Sequence, residues 1–359
     1  MQSEVPTSLR GRRFQERNLC IPATVCIRMA VEQQSEPGEG KKMTNTPGKR
    51  KVGVVGTGLV GSSFVFALML RELTTEIVLV DLDNEKAVGE MMDFNHGLSF
   101  SKPVKITAGQ YADLSGAQVV VIAAGASQRP GETRLDLLAR NVQIFRAIVP
   151  EVVRHNPDGI ILIATNPVDI LTYSSLKESH LPPAKVVGSG TILDTSRFRF
   201  LLGQYYGVDA RSVHAYIIGE HGDTEIPLWS LANIGGVRLQ EFAPMRNKQY
   251  NQAEMDKLFI SVRDAAYEII KRKGATYYAI GLGLVAIVET ILGNYRSVLP
   301  VSTLMTGQYG VTDMSLSLPS VVGRNGVEEI LTLNLSQEEE EGFRLSAEKL
   351  KTTLKSLGA

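Results

Sequence analysis

The sequence predicts an α/β fold, a doubly wound parallel sheet followed by an α+β unit, from three observations. Short β-branched runs alternate with longer amphipathic segments through the first half, and a glycine-rich turn joins the first run to an apolar helix. After about residue 190 the pattern changes, and helical periodicity flanks shorter strand signals. The runs Val52-Gly53-Val54-Val55, Ile77-Val78-Leu79-Val80, Val104-Lys105-Ile106-Thr107, Val119-Val120-Val121-Ile122 and Ile160-Ile161-Leu162-Ile163 are continuous enough to be strands buried on both faces. Such strands imply a parallel sheet with crossover helices. In the second half, helical patterns over about 255–273 and 276–292 flank strand signals near 299–305, 313–322 and 327–333, and a charged helix from about 336 closes the chain. Residues 1–49 carry scattered charge with Gly and Pro and no sustained period, which reads as a disordered extension. Met43 leads straight into the first strand and is a candidate start residue. The expected units are therefore 1–49, 50–190 and 191–359.

Composition removes several function classes. Thirty-eight basic residues balance 38 acidic ones, so there is no electrostatic footprint for nucleic acid or an anionic membrane. The longest apolar helical segment, around Ile280 to Leu292, carries Glu289 and is too short to span a bilayer. Cys20 and Cys26 both lie in the N-terminal extension, leaving no thiolate for a metal or disulfide in the body. The five histidines show no pair at ligand spacing, so no metal site is expected.

Gly56-Thr57-Gly58-Leu59-Val60-Gly61 follows the first strand and opens the helix Leu59 to Leu70, and Asp81 ends the next strand twenty residues past Gly61. That context turns a weak motif into a Rossmann-type dinucleotide fingerprint. Gly56 allows the tight turn, Gly58 lets backbone approach the pyrophosphate, and Gly61 lets helix pack on strand. The helix N-terminus at Leu59 and Val60 supplies N–H donors to the phosphates. Asp81 would accept hydrogen bonds from the adenosine ribose and repel a 2′-phosphate, which predicts NAD rather than NADP.

Gly219-Glu220-His221-Gly222-Asp223 follows the apolar run Ala215-Tyr216-Ile217-Ile218 and places a histidine at a strand-to-loop edge, where it can act as acid or base. Asp194 and Arg197 are three apart and share a face if that segment is helical. A buried histidine beside a carboxylate is also a common structural pair, so the motif leaves both readings open. The polar loop Ala124 to Arg134 has Gly and Pro near its middle, and suits either a solvated crossover or a lid over an anion.

With these residues together, the chain from about Lys51 to its C-terminus resembles the NAD-dependent L-2-hydroxyacid dehydrogenases, most closely the bacterial-type L-lactate dehydrogenases. The resemblance implies a proton-donor role for His221, a carboxylate partner in Asp194, a substrate-carboxylate clamp in Arg197 and a loop arginine in Arg134. Asn166, in the intact Asn166-Pro167-Val168-Asp169 segment, would contact substrate and nicotinamide, with a cis bond expected before Pro167. Thr276 matches the position beside the substrate's variable group. Malate dehydrogenases resemble the same pattern, but typically carry arginine where this chain has Gln128; a neutral lid favours pyruvate over oxaloacetate, although Arg129 next door weakens that inference. A non-catalytic NAD-binding regulator would keep Gly56 to Asp81 without needing Arg134, Asp194, Arg197 and His221 together.

The resemblance further implies a cytoplasmic homotetramer working in glycolysis or fermentation. It also raises a fructose 1,6-bisphosphate activator site at Arg199 and His214, to be weighed against an ordinary surface pair. Arg199 lies two residues after Arg197, and on a helix points roughly opposite to it. His214 lies seven before His221, so an unbroken strand would put the two rings on opposite faces.

Overall fold

The computed structural model describes residues 50–126, 131 and 133–356, with the side chain of Arg134 not among them. The expected extension, 1–49, lies outside the described residues, as does Gln128. The first half runs β1 (Lys51–Val55), α1 (Leu59–Leu70), β2 (Glu76–Val80), α2 (Asn84–His96), β3 (Lys105–Ala108), β4 (Val119–Ile122), α3 (Arg134–His155), β5 (Ile160–Ile163), α4 (Val168–Ser179) and β6 (Val186–Gly188). These strands pair in parallel in the order β3-β2-β1-β4-β5-β6. Unalternating apolar runs are the reason. Val119 and Val121 of β4 pack into one core cluster, and Val120 and Ile122 into the other, so each face of the sheet is closed. The chain order reverses between β1 and β4, the place where open α/β sheets bind ligands at their carboxyl ends.

The second half continues α5 (Ile192–Tyr206), β7 (Val213–His214), β8 (Ile217–Ile218), β9 (Ile226–Pro227), β10 (Asn233–Ile234), β11 (Val237–Arg238), α6 (Leu239–Met245), α7 (Gln252–Arg263), α8 (Ala265–Lys273), α9 (Tyr278–Gly293), β12 (Ser297–Thr306), β13 (Thr312–Gly323), β14 (Gly326–Ile330) and α10 (Gln337–Ser356). β12, β13 and β14 pair antiparallel and join the main sheet where Ser302 of β12 meets Gly188 of β6, giving nine strands in one sheet. A side chain at Gly188 would meet the Thr172 hydroxyl at 2.3 Å and the Ser302 Cβ at 2.9 Å, so glycine sets that junction. Phe198, Leu202 and Tyr206 of α5 form a separate apolar cluster with Val213, Ile217, Ile234 and Met255.

Three sequence expectations are corrected. The helical pattern over 255–273 is two helices, α7 and α8, divided at Asp264, whose side chain accepts from Arg263 Nε at 3.0 Å. The last strand signal ends at Ile330. The segment carrying His214 and Ile217-Ile218 is not one unbroken strand: β7 pairs with β10, with His214 opposite Asn233, whereas β8 pairs with β9 in another sheet. Across this break, strand alternation does not set which faces His214 and His221 occupy.

Candidate active site

The glycine turn meets the physical demands of a dinucleotide. Gly56 has φ +97°, and a Cβ there would strike the Ala124 nitrogen at 2.4 Å. At Gly61 an added Cβ would lie 2.0 Å from the Gly56 carbonyl oxygen, so the helix closes on the turn only without a side chain. Gly58 is the opposite case: its Cβ would meet nothing within 4 Å, leaving backbone open to a phosphate. Asp81 Oδ2 accepts from the Thr57 backbone N–H at 2.6 Å and its hydroxyl at 2.8 Å. Burial opposes ionisation of Asp81, but these two bonds, with one from the Asp83 N–H, hold it below the usual carboxylate range. A charged carboxylate is thus fixed beside the turn, as a ribose acceptor requires.

Asp194 lies in the first turn of α5 and Arg197 one turn on, and their spacing brings Arg197 Nη1 to Asp194 Oδ1 at 2.9 Å. The other oxygen, Oδ2, is 2.5 Å from Nδ1 of His221, in the bend that follows β8. Burial works against the charged form of His221, yet the Asp194 carboxylate outweighs it and, with Asp169 and Glu225, raises the imidazole from 6.5 to about 9. Burial also opposes ionisation of Asp194, but His221 and then Arg197 keep its carboxyl below the ordinary range. The pair is therefore an imidazolium bound to a carboxylate at neutral pH.

Two carboxyls that the sequence reading did not single out complete the surroundings. Asp169, in the first turn of α4, is buried; its Oδ2 accepts from the His221 backbone N–H at 2.7 Å and its Oδ1 from the Ser302 hydroxyl at 2.6 Å. It ties the histidine loop to the Asn166-Pro167 segment and to β12. Glu225 is 6% exposed, and its Oε1 has no hydrogen-bond partner. Asp194, His221 and Glu225 each place a donor atom within 4.8 Å of the others. That spacing is one a cation could use, but Arg197 and His221 already occupy both Asp194 oxygens. Asn141 is a further addition: its Oδ1 accepts from Ala126 N–H at 2.8 Å, and its Nδ2 donates to the Asn166 carbonyl at 3.3 Å.

A cavity of about 340 Å³ at the carboxyl ends of β4, β5 and β6 brings Val60, Asn166, Arg197, His221 and Thr276 together. The Asn166–Pro167 bond is cis. Helix α3 starts at Arg134, behind a Thr133/Asp136 capping box, so the backbone of this loop arginine is placed although its side chain is not described. Arg199 stands away from that cavity. Its Nε donates to the Ala215 carbonyl at 2.9 Å and its guanidinium lies 4.9 Å from the Tyr216 ring centre, next along the chain from exposed His214.

A parallel sheet with an open glycine turn after its first strand, and an imidazolium–carboxylate–guanidinium cluster at the same carboxyl edge, is the architecture of a dinucleotide-dependent oxidoreductase. Comparison with known proteins agrees and is more specific. Residues 50–188 match the lactate/malate dehydrogenase NAD-binding domain, and 191–359 match the lactate/malate dehydrogenase alpha/beta C-terminal domain. The L-lactate dehydrogenase 1 of Peribacillus psychrosaccharolyticus is 52% identical over 305 residues, 85% of this chain and 96% of the relative. The L-lactate dehydrogenase of Acetivibrio thermocellus is 51% identical over 315 residues, 88% of this chain and 99% of the relative. Among solved structures, a lactate dehydrogenase from a Medee basin deep-sea metagenome library is 43% identical with a TM-score of 0.84, covering 87% of this chain and 99% of its own. A minor L-lactate dehydrogenase from Enterococcus mundtii is 44% identical with a TM-score of 0.83, covering 86% and 98%. The chain belongs to the lactate/malate dehydrogenase family, and its cofactor is NAD.

Proposed function

We propose that the protein is an L-lactate dehydrogenase that interconverts pyruvate and L-lactate. The observation that carries this reading is the Asp194–His221 contact at 2.5 Å beside Arg197, in a cavity shared with Asn166 and Thr276. NADH, when bound, supplies the hydride to the keto carbon. Gly56, Gly58, Leu59, Val60, Gly61 and Asp81 hold the dinucleotide, and Asn166 holds the nicotinamide end. Arg197 clamps the substrate carboxylate through its remaining N–H groups. Asp194 accepts the Nδ1–H of His221, which leaves Nε2 to give its proton to the carbonyl oxygen as charge develops there. Arg134 stabilises that oxygen from the loop, and Thr276 packs beside the methyl group. In the reverse direction, neutral His221 takes the hydroxyl proton of lactate.

Gln128 supports pyruvate over oxaloacetate, because enclosing a second carboxylate without a counterion costs several kcal/mol. NADH oxidation measured with pyruvate, oxaloacetate and no substrate tests the assignment. Turnover on pyruvate, with oxaloacetate lower by orders of magnitude, is expected; the opposite order would make the protein a malate dehydrogenase, and no turnover on either would end the reading.

We also read the enzyme as a cytoplasmic homotetramer of glycolysis and fermentation. Exposed Leu59, Phe66 and Leu70 on α1, and Tyr278 and Leu282 at the start of α9, give apolar surface for subunit contacts. Among the described residues, no helix is long and apolar enough to cross a membrane. Arg199 and His214 make the fructose 1,6-bisphosphate activator site of this reading, supported by the reach of Arg199 to the segment after His214. Sedimentation gives the subunit number. Pyruvate saturation curves with and without millimolar bisphosphate, superimposed for a confirmed tetramer, would remove the regulatory part alone.

A further inference from the structure

We propose that Glu225 holds a proton in the substrate-binding form of this enzyme, and that alkaline loss of substrate binding is the loss of two protons, one from Glu225 and one from His221. The inference rests on the dehydrogenase reading and adds a residue to it. Glu225 directly precedes β9 and is buried, with 6% exposure. Its Oε1 has no donor. A buried carboxylate persists only where donors or cations compensate it, and an unpaired one is costly.

The charged groups around Glu225 do not compensate it. From α5, Asp194 opposes ionisation, whereas Arg197 favours it but is held by Asp194 at 2.9 Å. From α7, Arg263 favours ionisation but donates to Asp264 at 3.0 Å and lies near Asp223. From its own loop, His221 favours it, and Asp169 of α4, which accepts from the His221 backbone N–H, adds a negative charge on the far side of that histidine's loop. Burial first, and Asp194 second, push the Glu225 carboxyl up to about 9. The second observation is charge balance. Asp194, Asp169, His221 and Arg197 sum to zero when Glu225 is neutral, because Asp169, with a value of about 6, is ionised above neutral pH. Ionising Glu225 makes the cluster negative, and a substrate carboxylate would then bury a further uncompensated negative charge beside it.

Because the donor atoms lie within 4.8 Å, Glu225 and His221 titrate as a pair, and anion binding requires the doubly protonated form. The probe is oxamate, a non-reacting analogue of pyruvate, bound to the NADH complex and followed by NADH fluorescence from pH 7 to 10. Loss of two protons should make affinity in the wild type fall more steeply than the ~10-fold per pH unit that one group allows, approaching ~100-fold per unit at the alkaline end. Glu225→Gln should bind oxamate as the wild type does at pH 7 and show the shallower fall. Equal steepness in the two proteins would overturn the proposal. A measurement on the wild type alone decides it even if the variant does not fold: oxamate binding at pH 9.5 in weak buffer should take up more than one proton per site, and an uptake of one or fewer refutes it. Failure of oxamate to bind the NADH complex at pH 7 would instead overturn the dehydrogenase reading and this inference with it.

Discussion

Replacing Asp194 with Asn removes the charge that keeps His221 protonated while nearly preserving shape. The rise of the imidazole from 6.5 to about 9 corresponds to ~3 kcal/mol of preference for the imidazolium. Asp194 is the largest cause opposing burial, so without its carboxylate the value should fall well below 9, with Asp169 and Glu225 still favouring the charged ring. A fall to the ordinary 6.5 would leave about a tenth of the ring protonated at pH 7.5. Oxamate affinity for the NADH complex should weaken at that pH, by up to ~10-fold, and recover as the pH is lowered to 5.5. The same linkage has a stability arm. A folded-state value above the unfolded one contributes stability that is full below pH 6.5 and is lost as pH rises through about 9; Glu225, raised from 4.5 to about 9, adds a loss of the same sign, so both proteins should lose stability across that window and Asp194→Asn should lose less of it than the wild type. Fluorescence titrations and denaturant melts at half-unit pH steps read both arms. An oxamate pH profile unchanged by Asp194→Asn would refute the claim that this carboxylate sets the proton of His221.

Four further substitutions separate the parts of the site. Gly61→Ala places a Cβ 2.0 Å from the Gly56 carbonyl and should destabilise by ~1–3 kcal/mol or more, whereas Gly58→Ala, with nothing within 4 Å, should leave the melting temperature alone and weaken NADH binding at least ~10-fold; equal melting losses would remove the phosphate role of Gly58. Asp169→Asn should lower kcat and shift the alkaline limit of oxamate binding downward, because a negative charge near His221 is gone. Burial raises Asp169 from 3.8 to about 6, so the native state binds its proton more tightly and this group lowers stability as pH rises through that window; melts from pH 4 to 7 should lose that slope in the variant, and a retained slope would assign it elsewhere. Gln128→Arg should raise kcat/KM for oxaloacetate and depress it for pyruvate by supplying one counterion and burying a surplus one, and no gain on oxaloacetate would move Gln128 away from the substrate's variable end.

What the sequence reveals and what it hides divide along a physical line. Groups whose partners lie within one local repeat are legible: Gly56, Gly58 and Gly61 sit at a strand-to-helix turn, and Asp194 meets Arg197 because one helical turn separates them. The parallel strands are legible for the same reason, since burial on both faces leaves an unalternating run. The addition of β12 to β6 through Ser302 and Gly188 is not, because a ten-residue strand carries no signal for which sheet edge it will join. Neither was the break between His214 and Ile217, where neighbouring residues enter different sheets.

The same line runs through the active site. His221 announces itself by residue type, but Asp169 reaches its backbone across 52 residues and Glu225 reaches Asp194 across the α5-to-β9 crossover, so neither convergence has a spacing to detect. Glu225 did leave one trace, an acid directly before the apolar pair Ile226-Pro227, which is a poor setting for a solvated carboxylate. Residues of this kind act through charge at a distance, and charge is what a buried site must balance. The proton transfer proposed for His221 involves only groups that would touch substrate, whereas the proposed condition for anion binding is a sum over Asp194, Asp169, Arg197, His221, Glu225 and the incoming carboxylate, groups that the fold buries together.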